Sequence, residues 1–242
     1  MIWCLHGAVG MAEDWKELSA TLGQGGHVVR RVDLWRFLDC CPMELDEFAK
    51  SFCEEVRASG DEQNILVGYS MGGRLALHAL LEDADLFRAA VIVSAHPGGL
   101  DEKEKIIRMA GDAEWAGKAL VGDWAMFLKE WDGQAVLNPE GGTLEGLGDR
   151  MQLKVRRQAV ARSFMDWSLG KQGDLRSRFE EVKVPVLWVT GERDGKFTGL
   201  AKEAVPYLEE GRLEVVEGAG HRVPWEKSEE FGALVEEFLA RF

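Results

Sequence analysis

A serine lies between two glycines in the segment Gly68-Tyr69-Ser70-Met71-Gly72. An apolar run precedes this segment and a helical pattern follows it, so Ser70 falls at a strand-to-helix turn. Small neighbours let the helix approach the strand closely, and the helix N-terminus presents N–H groups and a positive dipole end beside Ser70 Oγ. The pattern is typical of a nucleophile elbow and predicts Ser70 as an activated hydroxyl.

A serine of this kind needs a base and an acid. Of the five histidines, His221 follows the last predicted strand in a glycine-flanked loop and is the expected base. Asp194 follows the preceding strand and is expected to orient His221. Each also has a simpler interpretation, Asp194 as a helix N-cap and His221 as a solvated loop residue. Three residues at three strand ends, in the chain order serine, acid, histidine, favour the catalytic interpretation.

An oxyanion hole is expected from the first strand and the elbow. Ala8 directly follows His6-Gly7 at the end of the first strand, and its N–H can pair with the N–H of Met71. Two backbone donors aimed at one developing oxyanion stabilise a transition state by several kcal/mol. His6 is interpreted as a structural residue of this turn rather than as a base.

Six apolar runs alternate with amphipathic segments, and this alternation predicts the elements that position these residues. It indicates an α/β fold in which helices cover both faces of a mostly parallel sheet. Because the chain begins within a strand, no hairpin is expected before it. The predicted strands are 1–7, 28–35, 65–68, 89–95, 184–191 and 213–218, and the predicted helices are 12–22, 44–56, 73–81, 198–208 and 229–242.

One segment, from about residue 97 to residue 173, has no convincing strand pattern. Tryptophans and phenylalanines at helical spacing predict helices there, and a helical cap inserted over the end of the sheet accounts for them. Aromatic residues at this spacing more often pack than bind a ligand. The predicted division is therefore 1–96 for the first part of the core, 97–173 for the cap and 174–242 for the second part of the core. Within the cap, the glycine-rich segment 138–149 is predicted to be a loop.

Composition narrows the class of partner. The formal net charge of −13 argues against nucleic acid or an anionic membrane as the main partner, although a local arginine cluster can still bind a small acidic molecule. The N-terminus does not resemble a signal peptide, and no apolar stretch is long enough to span a bilayer. The four cysteines have neither zinc spacing nor a disulfide framework, which predicts reduced thiols and a cytoplasmic location.

We expect neither a cofactor nor a metal, because the sequence contains no P-loop, no G-x-G-x-x-G after a strand and no metal-ligand cluster. Dialysis against a chelator should therefore leave the activity unchanged. An activity that is lost on dialysis and restored by a divalent metal would contradict this expectation.

Four segments together resemble the α/β-hydrolase superfamily and, within it, the synthases that make 2-succinyl-6-hydroxy-2,4-cyclohexadiene-1-carboxylate in menaquinone biosynthesis. They are VGYSMGGRLAL, SAHPGGL, TGERDGKF and GAGH. The resemblance spans most of the chain, and G-E-R-D-x-K-F and the elbow arginine are far more specific than G-x-S-x-G. It implies an α/β-hydrolase fold and a lyase step that removes pyruvate from a succinyl-enolpyruvyl-cyclohexene carboxylate. Ser70, with His221 and Asp194, would act as a base that abstracts a ring proton.

The resemblance also implies residues that bind a small polyanionic carboxylate. Arg74 matches the elbow arginine and shares a helix face with Ser70, and Arg108 falls at the position of a cap arginine. A third cap cation is expected, and Tyr69 and Trp131 match aromatic positions near the pocket. The candidates for that third cation are Lys154, Arg156 and Arg157.

One segment departs from the usual hydrolase pattern, and two alternative functions remain open. Where hydrolases usually carry D-x-x-G-x-G after the second strand, residues 33–42 read DLWRFLDCCP, so an altered pocket wall is expected there. The same triad would serve a carboxylic ester or C–C bond hydrolase with Ser70 as the nucleophile, with an apolar pocket and an acyl-enzyme. A non-catalytic ligand receptor on the same fold is the third class. A homo-oligomer is compatible with all three classes.

Overall fold

The protein is described by a computed structural model for residues 1–137 and 147–242. Six strands are present in the described residues, and every neighbouring pair is parallel. All six predicted strands are confirmed. They are β1 (Ile2–Leu5), β2 (Val29–Val32), β3 (Asn64–Tyr69), β4 (Phe87–Val93), β5 (Val186–Gly191) and β6 (Gly211–Val216), in the spatial order β2-β1-β3-β4-β5-β6.

The predicted helices outside the cap are also present, with shifted ends. The helix predicted over 198–208 runs instead over Gly195–Ala204. It begins earlier because Asp194 accepts a hydrogen bond from the Phe197 N–H and caps the first turn. The α-helices of the described residues are α1 (Lys16–Gln24), α2 (Leu45–Ala58), α3 (Met71–Glu82), α4 (Glu102–Val121), α5 (Trp124–Asp132), α6 (Arg157–Asp166), α7 (Gly195–Ala204), α8 (Val223–Glu226) and α9 (Ser228–Leu239).

The central strands β1, β3, β4 and β5 are almost entirely buried, which explains why they are continuous apolar runs. The edge strands β2 and β6 are partly exposed and contain charged residues. In β1, Trp3 packs on one face against Phe48 and Phe52 of α2. Its neighbour Cys4 faces the other side, in the cluster that includes Phe231 of α9. Each such side chain, once fully buried, contributes about 1.5–3 kcal/mol relative to leaving it exposed.

The parallel arrangement brings the carboxyl ends of all six strands to one edge. Strand β3, which ends at Tyr69, lies between β1 and β4 at the centre of the sheet. The chain order of the strands reverses between β1 and β3, and ligands bind at such a switch point in open α/β sheets. The residues that follow β1, β3, β5 and β6 therefore meet at this edge.

Between β4 and β5 the described residues are helical and contain no strand. Helix α4 packs along α6, and Trp131 joins the two through Trp115 and Phe164, at ring-centroid distances of 5.1 and 5.3 Å. Most aromatic side chains of this region are buried packing residues, as helical spacing predicts. The helices predicted for this segment are present, while its assignment as a cap with limits at 97 and 173 stays a prediction. Of the predicted loop 138–149, residues 138–146 lie outside the described part.

Residues 33–42 form a short 3-10 turn, Leu34–Phe37, and a bend that fasten onto their surroundings. Trp35 is buried and donates from Nε1 to the Gly10 carbonyl at 2.9 Å. Arg156 forms ion pairs with Asp33 and Asp39. The loop 33–42, which replaces the usual glycine-containing loop, thus joins the sheet to the helical segment above it.

Candidate active site

Ser70 lies in the turn between β3 and α3. Its φ and ψ are 52° and −110°, a strained conformation for a residue other than glycine. A Cβ atom on Gly72 would lie 2.3 Å from the Leu5 carbonyl oxygen, so only glycine fits where the helix crosses β1. The predicted elbow is therefore present, and its backbone holds Ser70 Oγ at the carboxyl edge of the sheet.

The structure brings Ser70, His221 and Asp194 together. His221 Nε2 lies 3.1 Å from Ser70 Oγ, and His221 Nδ1 lies 2.7 Å from Asp194 Oδ2. A carboxylate can only accept, so Nδ1 carries the proton and donates to Asp194, which leaves Nε2 to accept from the Ser70 hydroxyl. His221 and Asp194 are both buried, and the Phe197 ring packs against the imidazole at a centroid distance of 4.4 Å. The geometry is that of a serine activated by an oriented base.

Asp194 makes the contacts that both of its interpretations require. One carboxylate oxygen caps α7 through the Phe197 N–H at 3.5 Å, while the other accepts from His221. The N-cap contact with α7 therefore also orients the Asp194 carboxylate toward His221. His6 has the structural role expected of it, because its Nδ1 donates to the Gly7 carbonyl and its Nε2 accepts from the Leu34 N–H. Burial lowers the pKa of His6 to about 4.

Ala8 and Met71 line the same cavity as Ser70 and His221. Met71 is the first residue of α3, and the helix leaves its first N–H groups without partners within the helix. Val9, next to Ala8, has a φ of 54°, so the turn after β1 is held in an unusual conformation. These placements bring the two residues expected to form an oxyanion hole to the correct edge of the sheet.

The cavity beside Ser70 has a volume of about 400 Å³ and lies between the sheet edge and the helical segment. Three cationic side chains, Arg74, Arg108 and Lys196, contribute to its wall. No residue of the loop 33–42 lines it. The expectation that this loop alters the pocket wall is therefore wrong, because the loop is directed toward Arg156 instead.

Of the three cations in the cavity wall, Arg74 is the most shielded from water, with 7% of its surface exposed. Its guanidinium donates to the Trp167 carbonyl at 2.6 Å and to Gln172 Oε1 at 3.1 Å, and no carboxylate of the described residues forms an ion pair with it. Burial, aided by the nearby charge of Arg108, lowers its pKa to about 9, which leaves the group charged at neutral pH. A buried cation of this kind attracts an anion into the cavity.

Arg108 also lines the cavity but differs from Arg74 in two ways. Its side chain is 45% exposed, and its Nε donates to Asp112 Oδ2 at 2.8 Å. Asp112 is buried and also accepts from the Ser168 hydroxyl, so it holds the arginine in place. Arg108 is therefore partly neutralised before any ligand enters.

The residues predicted to supply the third cation do not line the cavity. Lys154 is exposed and does not line the cavity. Arg156 is paired with the 33–42 loop, and Arg157 donates to the carbonyls of Ala119 and Gly122. None of the three lines the cavity: Lys154 and Arg156 lie in the 3-10 turn Arg150–Arg156, and Arg157 is the first residue of α6.

Lys196, which sequence reasoning missed, lines the cavity instead. It lies in the first turn of α7, two residues after Asp194, within the segment TGERDGKF. Its position in the sequence could have identified Lys196, because the first turn of a helix that begins at Asp194 must lie beside the triad. Trp131 lines the cavity as predicted.

Tyr69 lines a second, smaller cavity of about 30 Å³ that shares Ser70 and Trp131 with the first. Its hydroxyl is hydrogen-bonded to Arg222, and burial raises its pKa above the usual value. Arg222 in turn donates to Asp132 Oδ1 at 2.7 Å, and Arg150 donates to both oxygens of Asp132. Asp132, on α5, therefore links Arg222, the residue next to His221, to the helical segment.

We expect Asp132→Asn to lower the free energy of unfolding by about 2 kcal/mol at pH 7, because it leaves the buried Arg222 without its countercharge. Burial favours the neutral acid, but hydrogen bonds from Arg150 and Arg222 outweigh it and hold the pKa of Asp132 below its ordinary value of 3.8. A depressed folded-state pKa stabilises the protein above that value and stops doing so as the pH falls through the folded-state pKa. The difference from wild type should therefore shrink below about pH 4.

Denaturant unfolding at pH 7 and pH 3.5 measures this effect. Glu209→Gln is the control, because Glu209 pairs with Lys183 and both side chains are more than half exposed. Such a surface pair contributes at most about 1 kcal/mol. Equal losses for the two variants would show that Asp132 has no special role.

The described residues contain no group of three or more His, Cys, Asp or Glu side chains that could hold a metal ion. Among the same residues, no helix is both long and apolar enough to cross a bilayer.

Comparison with known proteins gives a family match, two sequence relatives and a solved structure. The model of the Alpha/beta hydrolase family matches residues 4–234. A protein of Bacillus subtilis (strain 168) is 29% identical over 98% of this chain and 89% of its own length. A 2-succinyl-6-hydroxy-2,4-cyclohexadiene-1-carboxylate synthase of Photorhabdus laumondii is 29% identical, with 100% of this chain and 86% of the relative covered.

A solved structure described as MenH from S. aureus superposes with a TM-score of 0.85 at 21% identity, over 99% of this chain and 93% of that one. At this identity the likeness concerns the fold. The sheet order and the helical segment between β4 and β5 therefore have a counterpart among experimentally determined structures.

Proposed function

Because the chain belongs to the alpha/beta hydrolase family, we propose that it is a lyase that eliminates pyruvate from a succinyl-enolpyruvyl-cyclohexene carboxylate. The product would be 2-succinyl-6-hydroxy-2,4-cyclohexadiene-1-carboxylate, the compound in the name of the Photorhabdus relative. One observation carries the proposal. Arg74 lines the cavity beside Ser70, buried and without a carboxylate partner among the described residues.

In this proposal Ser70 acts as a base rather than as a nucleophile. His221 Nε2 takes the hydroxyl proton while Ser70 Oγ removes a proton from a ring carbon, and Asp194 stabilises the imidazolium. The electron pair released from the C–H bond shifts through the ring, and the C–O bond to the enolpyruvyl group breaks. Pyruvate leaves as its enolate, which the imidazolium proton neutralises.

Removal of the ring proton places negative charge on the oxygen of the adjacent carbonyl. The N–H groups of Ala8 and Met71 would stabilise that oxygen, and each such donor contributes roughly 3 kcal/mol to a transition state. Arg74, Arg108 and Lys196 would hold the carboxylates of the substrate. An arginine grips a carboxylate with two parallel hydrogen bonds, so it orients the ring as well as attracting it.

A carboxylic ester or C–C bond hydrolase is the second candidate, and the Ser70–His221 distance of 3.1 Å supports it equally well. Ser70 would then attack a carbonyl and form an acyl-enzyme. The three cations of the cavity wall favour the lyase, because a neutral ester does not need them. The complete triad weighs against a non-catalytic receptor.

The test is to incubate the protein with the enolpyruvyl precursor and to measure the release of pyruvate. A neutral p-nitrophenyl ester is assayed in parallel, and mass spectrometry of the quenched protein detects any acyl-enzyme. The lyase proposal expects pyruvate release, slow ester hydrolysis and no covalent adduct. Fast ester hydrolysis with an acyl-enzyme and no pyruvate would assign the protein to the hydrolases.

A small polyanionic carboxylate is thus the proposed partner. The expected absence of nucleic-acid and membrane partners, the cytoplasmic location and the homo-oligomer stay predictions.

A further inference from the structure

His96 lies in the cavity wall and belongs to neither the triad nor the cations. It follows β4 at the carboxyl edge of the sheet and is 5% exposed, and its ring lines the cavity together with Ser70, Arg74 and Lys196. The edge of the imidazole meets the Phe197 ring at a centroid distance of 6.3 Å and an interplanar angle of 90°. A buried histidine in this position raises the question of what its ring nitrogens do.

One nitrogen is committed to the backbone. The Gly98 N–H donates to His96 Nδ1 at 3.1 Å, so Nδ1 carries no proton and the neutral ring must be protonated at Nε2. Gly98 has a φ of 94°, and a Cβ atom there would lie 1.8 Å from the Gly173 carbonyl oxygen. The turn that fixes the tautomer therefore depends on glycine.

The other nitrogen is free. No described residue forms a hydrogen bond with His96 Nε2. Gln172 connects His96 to Arg74, because its Nε2 donates to the His96 carbonyl at 2.9 Å and its Oε1 accepts from Arg74. The imidazole and the guanidinium are thus held in a fixed relation to each other.

The charges around His96 keep it neutral. Burial, and then the positive charges of Lys196, Arg74, Arg108 and Arg176, lower its pKa to about 4. A neutral imidazole amid cations can act as a hydrogen-bond donor at all physiological pH values, as neutral histidines do when they polarise a substrate oxygen.

We propose that His96 is a substrate-binding residue whose Nε2–H donates to a carboxylate of the substrate that is held between Arg74 and Lys196. The inference rests on the proposed function, since it names a carboxylate of that substrate. It adds a neutral donor to a site whose other proposed carboxylate contacts come from charged side chains, and the Gly98 N–H on Nδ1 leaves Nε2–H as the donor.

Two substitutions separate the two nitrogens. In His96→Asn the side-chain oxygen takes the place of Nδ1 and accepts from Gly98, but no donor reaches the cavity. In His96→Gln the amide nitrogen takes the place of Nε2 and donates into the cavity, but the Gly98 N–H loses its acceptor. The two variants are therefore matched controls for each other.

We expect His96→Asn to raise KM about tenfold or more, with kcat within about threefold of wild type and an unchanged Tm, because it loses a hydrogen bond to a charged group. His96→Gln should keep KM within about threefold and lose a few degrees in Tm. A KM of His96→Asn equal to that of wild type, or an equal rise in both variants, would overturn the inference.

A second measurement needs no variant. In the ¹⁵N spectrum of the histidine-labelled protein, His96 should remain protonated at Nε2 and unprotonated at Nδ1 from pH 8 to about pH 5. A proton on Nδ1 near neutral pH would overturn the inference even if one variant does not fold. Wild-type protein that releases no pyruvate from the precursor would instead overturn the proposed function, and the inference with it.

Discussion

Replacing Ser70 with alanine is expected to lower kcat for pyruvate release by roughly a thousandfold or more, with little change in the free energy of unfolding. Ser70 Oγ is the triad atom that would remove the proton from the substrate, and no other described residue hydrogen-bonds to His221 Nε2. His221→Ala and Asp194→Asn should each cause a loss of similar order, since the three residues act as a unit. Steady-state kinetics with denaturant unfolding in parallel measures both quantities.

Ser94→Ala is the matched control for this experiment. Ser94 directly follows the neighbouring strand β4, also has a positive φ, of 46°, and is buried. Its hydroxyl has no hydrogen-bond partner in the described part of the chain, and Ser94 does not line the cavity, so removal of the hydroxyl should leave turnover unchanged. Near wild-type turnover by Ser70→Ala would show that the elbow is not the active site.

Arg74→Ala is expected to lower kcat/KM for the enolpyruvyl precursor by about tenfold or more, which corresponds to about 1.4 kcal/mol or above. The buried guanidinium has no carboxylate partner among the described residues, so a substrate carboxylate meets its full charge. Arg108→Ala should also cost about tenfold, but it should be the smaller of the two effects, because Arg108 is half-exposed and already paired with Asp112.

The specificity of these effects is tested with two controls. Arg57→Ala removes an exposed arginine that pairs with Asp83 away from the cavity, and it should leave the kinetics unchanged. Hydrolysis of a neutral p-nitrophenyl ester should be slow in every variant and barely affected by the loss of either cavity arginine. If turnover of the precursor is indifferent to both arginines, the charge argument for the lyase fails.

The elements and the triad were predictable from the sequence for a common reason. The central strands are almost entirely buried and so appear as apolar runs, and each triad residue follows shortly after the end of a strand. In a parallel sheet the position of such a residue along the chain determines its position in space. Ser70, Asp194 and His221 could therefore be placed without any knowledge of side-chain packing.

The cations of the helical segment could not be placed in this way. Which way a helical arginine points depends on how its helix packs, and Arg156 is directed by Asp33 and Asp39, more than a hundred residues earlier in the chain. His96 was missed for a different reason. Its role depends on the Gly98 N–H and on Gln172, whose side chain arrives from 76 residues away.

The order of the strands has a consequence for how the protein acquires its activity. Ser70 and His221 are separated by 151 residues, and each parallel pairing must wait for a crossover connection to close. Contacts of such long sequence separation make folding slow. On the ribosome, His221 is synthesised 151 residues after Ser70, so Ser70 waits through that part of translation without its base. We therefore expect chains that end before His221 to be inactive, and we expect turnover during refolding to return with the pairing of β6 and β5 rather than with the collapse of the core.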